Sequence, residues 1–547
     1  MVNRVMTARR EVQGRSIRWD EARARSAYAS GYWVETTLVE ELSAAYRLEP
    51  ERELLIEGET SYRVAYLFEQ SRVLAAYLSE RFEPGSVVSF MLPNWHECAI
   101  IYYAATMAGL VLNPILPSLR EHDLAFILQD VDAKILFIPA QFKGFEYPPM
   151  VRKALARMAT EPEVAVLRGE SQGFTSYVDL FQERLDYQPV PVNPDAVRMI
   201  MYTSGTTGLP KGVMHTHNSL HALIKQLGEH WLIAPDDRFL VASPISHIGG
   251  SIYAFECPLL LKSSAVLLET WSPDIGVQLL QDHRCTHFAG ATPFLKAVLE
   301  VAKLRQTHLP DLKVFICGGA SVPPSLIYEA NDYFDKAVVT RVYGSTEVPV
   351  TTVGSLGSDE LRYAAETDGS VGIAEVQLSN GDEREGEVLV RGPQMLVGYL
   401  HPEDEVQVFT EDGYYRTGDM GTWIDDAYLS ITGRSKDIII RNGENIAPKE
   451  LEDLLLEDDV IQEIAIVGLP SERTGEYACA VVVVEQAEKL DVAYLTRILA
   501  HRGVAKFKFP ERVEIWPSLP KNDAGKVLKH QIRARLVQAD SNTGEKQ

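Results

Sequence analysis

An alternation of strand-like apolar runs with helix-like periods, from about residue 35 to residue 340, constrains the fold of this chain more than any other feature. Four short runs rich in apolar residues indicate buried strands, at residues 86–90, 133–138, 197–202 and 312–317. Residues 71–81 and 275–283 have a helical period. Strands buried on both faces and separated by helices are typical of parallel sheets covered by helices. The sequence therefore predicts an α/β protein built on stacked, mostly parallel sheets.

The sequence pattern changes after this region, and the change predicts the domains. Residues 371–432 have short strand-like runs separated by turn dipeptides, which favours a small, mainly antiparallel β module. After Gly433 the pattern returns to a compact mixture of strands and helices. We expect four parts: an N-terminal extension at 1–34, a large domain at 35–434 that includes the β module, a small mobile α+β lid domain at 435–540, and a disordered tail at 541–547.

The charge balance excludes one class of partner. The chain has 53 Lys and Arg against 76 Asp and Glu, a formal net charge of −23, and so acidic a field does not attract nucleic acid. Its five cysteines form no CxxC pair, which favours a reducing cytoplasmic location. The longest apolar run, residues 98–112, is shorter than the roughly 20 residues that span a bilayer. We expect a buried helix there and no stable membrane insertion; a homodimer is compatible with these features.

Residues 202–212 have the composition of a phosphate-binding loop. The glycines at 205, 208 and 212 permit tight turns that direct backbone N–H groups at an anion. Hydroxyl groups at 204, 206 and 207 and the charge of Lys211 add further donors. Lys211 follows a proline and precedes a strand, whereas the P-loop lysine is followed by Ser or Thr and a helix. The loop therefore predicts a polyphosphate site of another kind.

Five segments, in order, resemble the ANL superfamily of adenylating enzymes, which includes the acyl- and aryl-CoA synthetases. They are the loop just described, RVYGSTE at 341–347, YYRTGD at 414–419, the hinge-like segment at 433–450 and PKNDAGK at 520–526. The resemblance covers roughly residues 40–538. It implies that ATP and a carboxylic acid form acyl-AMP and pyrophosphate, that coenzyme A then displaces AMP, and that Mg²⁺ is a cofactor.

The resemblance also implies a role for each residue at a matching position. Lys526, Glu347 and His247 would be catalytic, and Glu347 and Thr206 would hold Mg²⁺. Lys436 would be the hinge of the small domain, and Gly443 would line the coenzyme A tunnel. The nucleotide would be bound by Thr203, Ser204, Gly205, Thr206, Thr207, Gly208, Lys211, Gly318, Gly319, Ala320, Tyr343, Gly344, Thr346, Asp419 and Arg434.

Within this nucleotide site the implied roles differ. The loop residues would hold the β- and γ-phosphates, Tyr343 would stack on adenine, and Asp419 would accept hydrogen bonds from both ribose hydroxyls. Lys526 would touch the α-phosphate and the substrate carboxylate, where positive charge offsets the repulsion between two anions. The chain departs from the family at positions 522 and 524, which are Asn and Ala instead of the usual hydroxyl residues.

The segment 243–250 resembles the border of the family's acyl pocket. Relatives that activate amino acids or dihydroxybenzoate have an Asp or an Asn near the histidine, whereas Ile248 follows His247 here. Because an ammonium or a catechol would lack a partner, we expect an aliphatic or alicyclic acid, with room for bulk at the small residues 249–251. Two alternatives stay open: an acyl-AMP ligase that serves a carrier protein, and an aryl-acid CoA ligase. A non-catalytic nucleotide-binding protein is a third, and the presence of Lys526 and Glu347 argues against it.

Overall fold

The first of two large sheets contains three of the predicted strands. The computed structural model describes residues 8–182, 186–203, 210–319, 322–357, 359–379, 384–441, 444–471, 473–485, 490–522 and 525–544. The strand order is Thr175–Ser176, Glu163–Leu167, Ala133–Pro139, Val87–Phe90, Val111–Pro114, Val197–Thr203 and Lys211–Thr216. Neighbouring strands are parallel except for the last pair, which is an antiparallel hairpin.

The second large sheet repeats this design. Its strand order is Val338–Val342, Val314–Gly318, His287–Gly290, Arg238–Val241, Ser264–Leu267, Glu53–Glu57 and Thr60–Arg63. Here too the strands are parallel except for the antiparallel pair at the edge. The α/β prediction with mostly parallel sheets is confirmed.

Helices cover both faces of the two sheets. Because successive side chains of a strand point to opposite faces, Val88 lies in the core between the sheets and Val87 in the core outside the first one. The predicted buried helix is present between the sheets as His96–Met107, but the end of the apolar run 98–112 belongs to the strand Val111–Pro114. The other helices of this part are Glu21–Ala29, Leu38–Leu48, Val64–Arg81, Glu121–Asp130, Tyr147–Leu155, His217–His230, Ile248–Ser251, Cys257–Leu260, Pro273–Asp282, Thr292–Leu304, Pro324–Tyr333 and Leu361–Glu366. Within the described ranges, no helix combines the length and apolarity that crossing a bilayer requires.

An antiparallel sheet follows, with its own apolar core. Its strand order is Thr352–Gly354, Ser370–Val371, Tyr428–Arg434, Tyr415–Ile424, Glu385–Arg391 and Glu375–Ser379. The sheet begins at Thr352, upstream of the segment 371–432 in which the turn signals are concentrated. The sequence pattern did not predict this first strand because it is only three residues long.

The C-terminal part is a smaller sheet with helices on both faces. The strands Glu444–Ile446, Ile439–Arg441, Gly475–Val484 and Ile461–Ser471 are antiparallel neighbours in this order, and Arg512–Ile515 pairs in parallel with Gly475–Val484. Its helices are Pro448–Leu455, Val492–His501 and Lys529–Gly544. The last helix includes residues 541–544, which composition had assigned to a disordered tail, and 545–547 lie outside the described residues.

The N-terminal segment packs into the large domain. The strands Ala8–Val12 and Arg15–Trp19 form a hairpin, here called the N-terminal hairpin. Its Val12 and Ile17 are buried in the core outside the first large sheet. The Arg18 N–H donates to Val397 O at 2.7 Å. The segment predicted as an extension therefore adds to the folded core.

A charged cluster ties the two large sheets together at one edge. Arg168, which follows a strand of the first sheet, contacts Glu57 at 2.7 Å and Glu97 at 2.5 Å. Glu57 ends a strand of the second sheet, and its carboxylate lies 2.7 Å from His96 Nδ1. Burial disfavours the Glu57 charge, but hydrogen bonds from His96 and Arg168 outweigh it and lower the pKa of Glu57 to about 2.

Candidate active site

Two neighbouring antiparallel strands place an acid and a base opposite one another. Asp419 and Arg434 are register partners, and Arg434 Nε lies 2.8 Å from Asp419 Oδ1. The Tyr343 hydroxyl donates to Asp419 Oδ2 at 2.7 Å. Burial and then the Asp419 charge raise the pKa of Tyr343. Asp419 is only 5% exposed, yet each carboxylate oxygen has two lone pairs and can accept a second hydrogen bond.

The carboxyl ends of two parallel strands form the adjoining wall. Ligands of open α/β sheets bind in crevices at such ends. A Cβ at Gly318 would lie 2.7 Å from Val342 O, and one at Gly344 would lie 2.5 Å from Val350 N. These two predicted site positions therefore need glycine because the backbone approaches closely. Gly319 follows with a φ of +81°, and Ala320 lies outside the described residues.

Glu347 is held at the edge of this wall by tyrosine hydroxyls. The Tyr399 hydroxyl donates to Glu347 Oε1 at 3.0 Å and lies 3.3 Å from the Tyr415 hydroxyl. His215 Nε2 lies 2.7 Å from Thr346 O, and burial lowers the pKa of His215 to about 4, so the neutral ring donates. The backbone at Thr346, next to Glu347, is thus fixed by a hydrogen bond from His215. Glu347 itself is largely buried, with 9% of its surface exposed.

The phosphate loop closes the hairpin at the edge of the first large sheet. Thr203 and Lys211 face each other in its register. The predicted loop residues between them lie outside the described residues: Ser204, Gly205, Thr206, Thr207 and Gly208. Lys211 Nζ lies 3.3 Å from both the Oδ1 and the backbone oxygen of Asp404. It also lies 5.4 Å from the centre of the Tyr399 ring.

The Lys526 loop touches the large domain. The Lys526 N–H donates to Asn522 Oδ1 at 2.8 Å, and the Asn522 N–H donates to Lys526 O at 2.9 Å. Asn522, a departure from the family pattern, therefore supplies a side-chain hydrogen bond across this loop in addition to its backbone bonds. A Cβ at Gly525 would lie 3.5 Å from Pro293 Cγ, at the start of the helix Thr292–Leu304. This loop therefore packs against the large domain at the start of that helix.

The charges around Lys526 identify where its ammonium lies. Desolvation, followed by the positive charge of Arg434, lowers the pKa of Lys526, although the side chain is still reached by solvent. Asp419, Asp437 and Glu347 act in the opposite direction. Because screened charges interact only over short distances, Lys526 lies within electrostatic range of these residues, three of which are predicted to bind the nucleotide or Mg²⁺. The structure thus brings together Lys526, Glu347, Asp419, Arg434 and Tyr343.

His247 caps the start of the short helix Ile248–Ser251. Its Nδ1 accepts from the Gly249 N–H at 3.3 Å, and desolvation lowers the pKa of this ring although solvent still reaches it. Asn94 fixes the preceding loop: it donates to Val241 O, Ser243 O and Leu268 O and accepts from the Ile245 N–H at 3.0 Å. The loop before His247 is therefore rigidly attached to the second large sheet.

The expectation that residues 249–251 all leave room for substrate bulk is wrong. A Cβ at Gly250 would lie 2.0 Å from Pro244 O, so this glycine serves a close backbone contact. Ser251 is fully buried and donates to Ile248 O. Only Gly249 has open space beside it, since a Cβ there would meet nothing nearer than 3.6 Å.

Comparisons with known proteins identify the family. Residues 42–400 match the AMP-binding enzyme family, and residues 450–526 match the AMP-binding enzyme C-terminal domain. The chain belongs to the AMP-binding enzymes. It is 31% identical to the medium-chain fatty-acid–CoA ligase of Escherichia coli (strain K12), over 95% of this chain and 94% of that protein.

A second relative and a solved structure of this AMP-binding enzyme family cover similar shares of the chain. The 3-[(3aS,4S,7aS)-7a-methyl-1,5-dioxo-octahydro-1H-inden-4-yl]propanoyl:CoA ligase of Rhodococcus jostii (strain RHA1) is 30% identical, over 91% of this chain and 98% of the relative. The crystal structure of ATP bound MatB from Rhodopseudomonas palustris matches with a TM-score of 0.81 and 25% identity, over 91% of this chain and 99% of that one.

Of the two residues predicted for the coenzyme A half-reaction, the structure describes one. Gly443 lies outside the described residues, and Lys436 is exposed in the turn Ser435–Asp437. Conversely, the structure reveals contacts that no motif indicated, those of Asp404 with Lys211 and of Tyr399 with Glu347. Both residues lie in a segment without motifs, and only the fold brings them to the site.

Proposed function

We propose that this enzyme joins an uncharged-tailed carboxylic acid to coenzyme A, with conversion of ATP to AMP and pyrophosphate. The observation that carries the proposal is that the Lys526 loop of the small C-terminal part packs against Pro293 of the large domain, with Lys526 within electrostatic range of Glu347, Asp419 and Arg434. A cation between a nucleotide site and an acid pocket suits the attack of a carboxylate on the α-phosphate. The names of the curated relatives, which are CoA ligases, agree with this reaction.

In the first half-reaction, a carboxylate oxygen of the acid attacks the α-phosphorus, and pyrophosphate leaves. Lys526 would offset the negative charge shared by the two reacting anions, while Asp419 and Tyr343 hold the nucleoside. Lys211 would bind the leaving polyphosphate. Closure of the small part over the site would also exclude water, which hydrolyses the mixed anhydride acyl-AMP.

Glu347 fits the expected Mg²⁺. Its carboxylate is largely buried, is oriented by the Tyr399 hydroxyl, and offers the hard oxygen ligand that this ion prefers. When bound, Mg²⁺ would supply charge neutralisation to the polyphosphate. Thr206, the other residue expected to hold the ion, lies outside the described residues.

The surroundings of His247 support an acid with an uncharged tail. Ile245 and Ile248 are buried there, and the next acid along the chain is Glu256. Glu256 is 1% exposed, lies 2.5 Å from Arg198 and accepts a hydrogen bond from Tyr102. Its charge is therefore already compensated, and a substrate ammonium would be left unpaired, which costs several kcal/mol. Apolar surface, by contrast, gains about 25 cal/mol for each Å² buried.

For the second half-reaction the small part would rotate about Lys436, so that the thiol of coenzyme A reaches the acyl-AMP carbonyl and AMP leaves. Contacts between the two parts would then have to break. Lys449 Nζ donates to Ile431 O at 2.6 Å, and Ser435 Oγ donates to Gly418 O at 3.0 Å. Both are single hydrogen bonds at the surface of the β module, which is consistent with a reversible rotation.

The test is acid-dependent AMP release, measured with butyrate, octanoate, cyclohexanecarboxylate, benzoate, phenylalanine and 2,3-dihydroxybenzoate, and ranked by kcat/KM. We expect octanoate or cyclohexanecarboxylate to rank first, and AMP release to require coenzyme A. A loose preference for chain length is expected, because one methylene contributes only about 1–3 kcal/mol. Phenylalanine or dihydroxybenzoate at the top would refute the substrate assignment. Acyl-AMP that accumulates with coenzyme A present, and is consumed only by an acyl carrier protein, would favour the carrier-protein alternative.

We also propose a cytoplasmic location and a homodimeric assembly for this enzyme. All five cysteines lie in the described part and are buried without a disulfide, which supports a cytoplasmic location. A homodimer is proposed as well, and light scattering would give twice the 61.0 kDa mass of the chain. A single-chain mass at the assay concentration would contradict it.

A further inference from the structure

Two arginines of the N-terminal hairpin converge on one glutamate far away in sequence. Arg9 lies 3.0 Å and Arg18 3.1 Å from Glu405 Oε2. The Glu405 side chain is 8% exposed, so this pairing is screened much less than a surface ion pair. The Arg18 guanidinium also lies 3.7 Å from the centre of the Phe409 ring, which fixes its position.

The same glutamate organises the segment that runs along the phosphate-loop strand. Glu405 Oε1 accepts from the Tyr399 N–H at 3.1 Å. The Leu400 N–H donates to Gly212 O at 2.8 Å, and the Val397 N–H donates to Met214 O at 3.0 Å. Residues 397–400 therefore connect the N-terminal hairpin, through Glu405, to the strand Lys211–Thr216.

Residues 397–405 include two groups, Asp404 and Tyr399, that contact residues predicted to bind the phosphates and Mg²⁺. Asp404, adjacent to Glu405 in the turn Pro402–Glu405, accepts a hydrogen bond from the Lys211 ammonium with its backbone oxygen and forms an ion pair with it through its carboxylate. Tyr399 donates its hydroxyl to Glu347 and places its ring beside Lys211. Among the described residues, Lys211 and Glu347 thus share one support.

We propose that Glu405, held by Arg9 and Arg18, is a positioning residue that orients Lys211 and Glu347 toward the β- and γ-phosphates of ATP. The N-terminal hairpin would then support the nucleotide site indirectly, through Glu405, and not by binding the nucleotide itself. This inference rests on the proposed use of ATP. The proposed contacts to adenosine do not include Glu405, because Asp419 and Arg434 lie on other strands and Tyr343 follows the strand Val338–Val342.

The consequence is a selective effect on the nucleotide that carries the outer phosphates. Without the Glu405 charge, Asp404 and Tyr399 lose their anchor, and Lys211 loses its orientation. AMP has no β- or γ-phosphate, so its affinity should not change. A loss of general packing would instead weaken both nucleotides.

The experiment measures the Kd of ATP and of AMP by titration calorimetry without the acid, so that no turnover occurs. The variants are Glu405→Gln, the double variant Arg9→Gln/Arg18→Gln, and Lys211→Ala as the reference. Glu403→Gln removes one charge from an exposed position of the same turn and is the matched control. Thermal melts establish that each variant is folded.

We expect Glu405→Gln and the arginine double variant to raise the Kd of ATP about tenfold, the effect of one lost charge-assisted hydrogen bond. The Kd of AMP and both constants of Glu403→Gln should match the unaltered enzyme. An ATP Kd that does not change, or equal weakening of ATP and AMP, would overturn the positioning role. If Glu405→Gln does not fold, the exposed Arg9→Gln variant decides by the same comparison. If Lys211→Ala itself leaves the ATP-to-AMP ratio unaltered, the phosphate assignment of the proposed function fails and the inference fails with it.

Discussion

Asp419→Asn tests the nucleoside half of the site, because it removes a charge while it preserves shape. The buried carboxylate accepts from Arg434 and Tyr343 and is proposed to accept from both ribose hydroxyls. A hydrogen bond to a charged group contributes about 1.5–3 kcal/mol, against about 1 kcal/mol for a neutral pair. Asn keeps one carbonyl acceptor, so the net loss is about 2–4 kcal/mol, which corresponds to about 30- to 1,000-fold in the KM for ATP.

The assay for this variant is acid-dependent exchange of pyrophosphate into ATP. We expect the KM for ATP to rise while the KM for the acid stays close to that of the unaltered enzyme. Asp426→Asn is the matched control, since Asp426 is exposed in the turn between the same two strands and has a positive φ that Asn tolerates. An unchanged KM for ATP in folded Asp419→Asn, or an equal rise for the acid, would refute the reasoning.

Three further perturbations test other parts of the account. Lys526→Ala should slow acyl-AMP formation at least a hundredfold, on the order of one lost electrostatic stabiliser, and spare thioester formation from supplied acyl-AMP; Lys521→Ala is the control in the same loop, and equal loss in both half-reactions would contradict the role. Gly443→Leu should do the reverse by blocking the coenzyme A tunnel, and normal coenzyme A turnover in this variant would remove that assignment. Glu57→Gln should reduce the free energy of unfolding by up to about 3 kcal/mol near neutral pH, and this difference should shrink as pH falls from about 4.5 toward 2, because the folded-state pKa of Glu57 is depressed. Urea melts at several pH values measure it against Glu51→Gln on an exposed ion pair, and a pH-independent difference would contradict the linkage.

The parallel core could be predicted because buried strands have a distinctive composition. The runs at 133–138 and 312–317 are apolar almost throughout, which only strands covered on both faces tolerate. The short strand Thr352–Gly354 gave no such signal, since three residues cannot establish a period. The packing of the N-terminal hairpin was missed for another reason: its two buried residues, Val12 and Ile17, stand among charged neighbours.

The site could be predicted where one segment carries both the signal and the chemistry. Asp419, Tyr343 and Lys526 lie in short motifs, and the structure brings them to one place. Asp404 and Tyr399 could not be found in this way, because their importance comes from contacts across the fold. The misjudged space at Gly250 has the same origin, since a glycine that opens a pocket and one that admits a carbonyl look alike in sequence.

The central claim is that the acid is activated by bonding one of its oxygens to the α-phosphorus of ATP. The most direct measurement uses an acid whose carboxylate is labelled with oxygen-18 and follows the label by mass spectrometry in a complete turnover with coenzyme A. The account predicts one labelled oxygen in AMP and none in pyrophosphate, because AMP leaves with the oxygen that bridged phosphorus and carbonyl. Unlabelled AMP, or label in inorganic phosphate together with ADP, would contradict it.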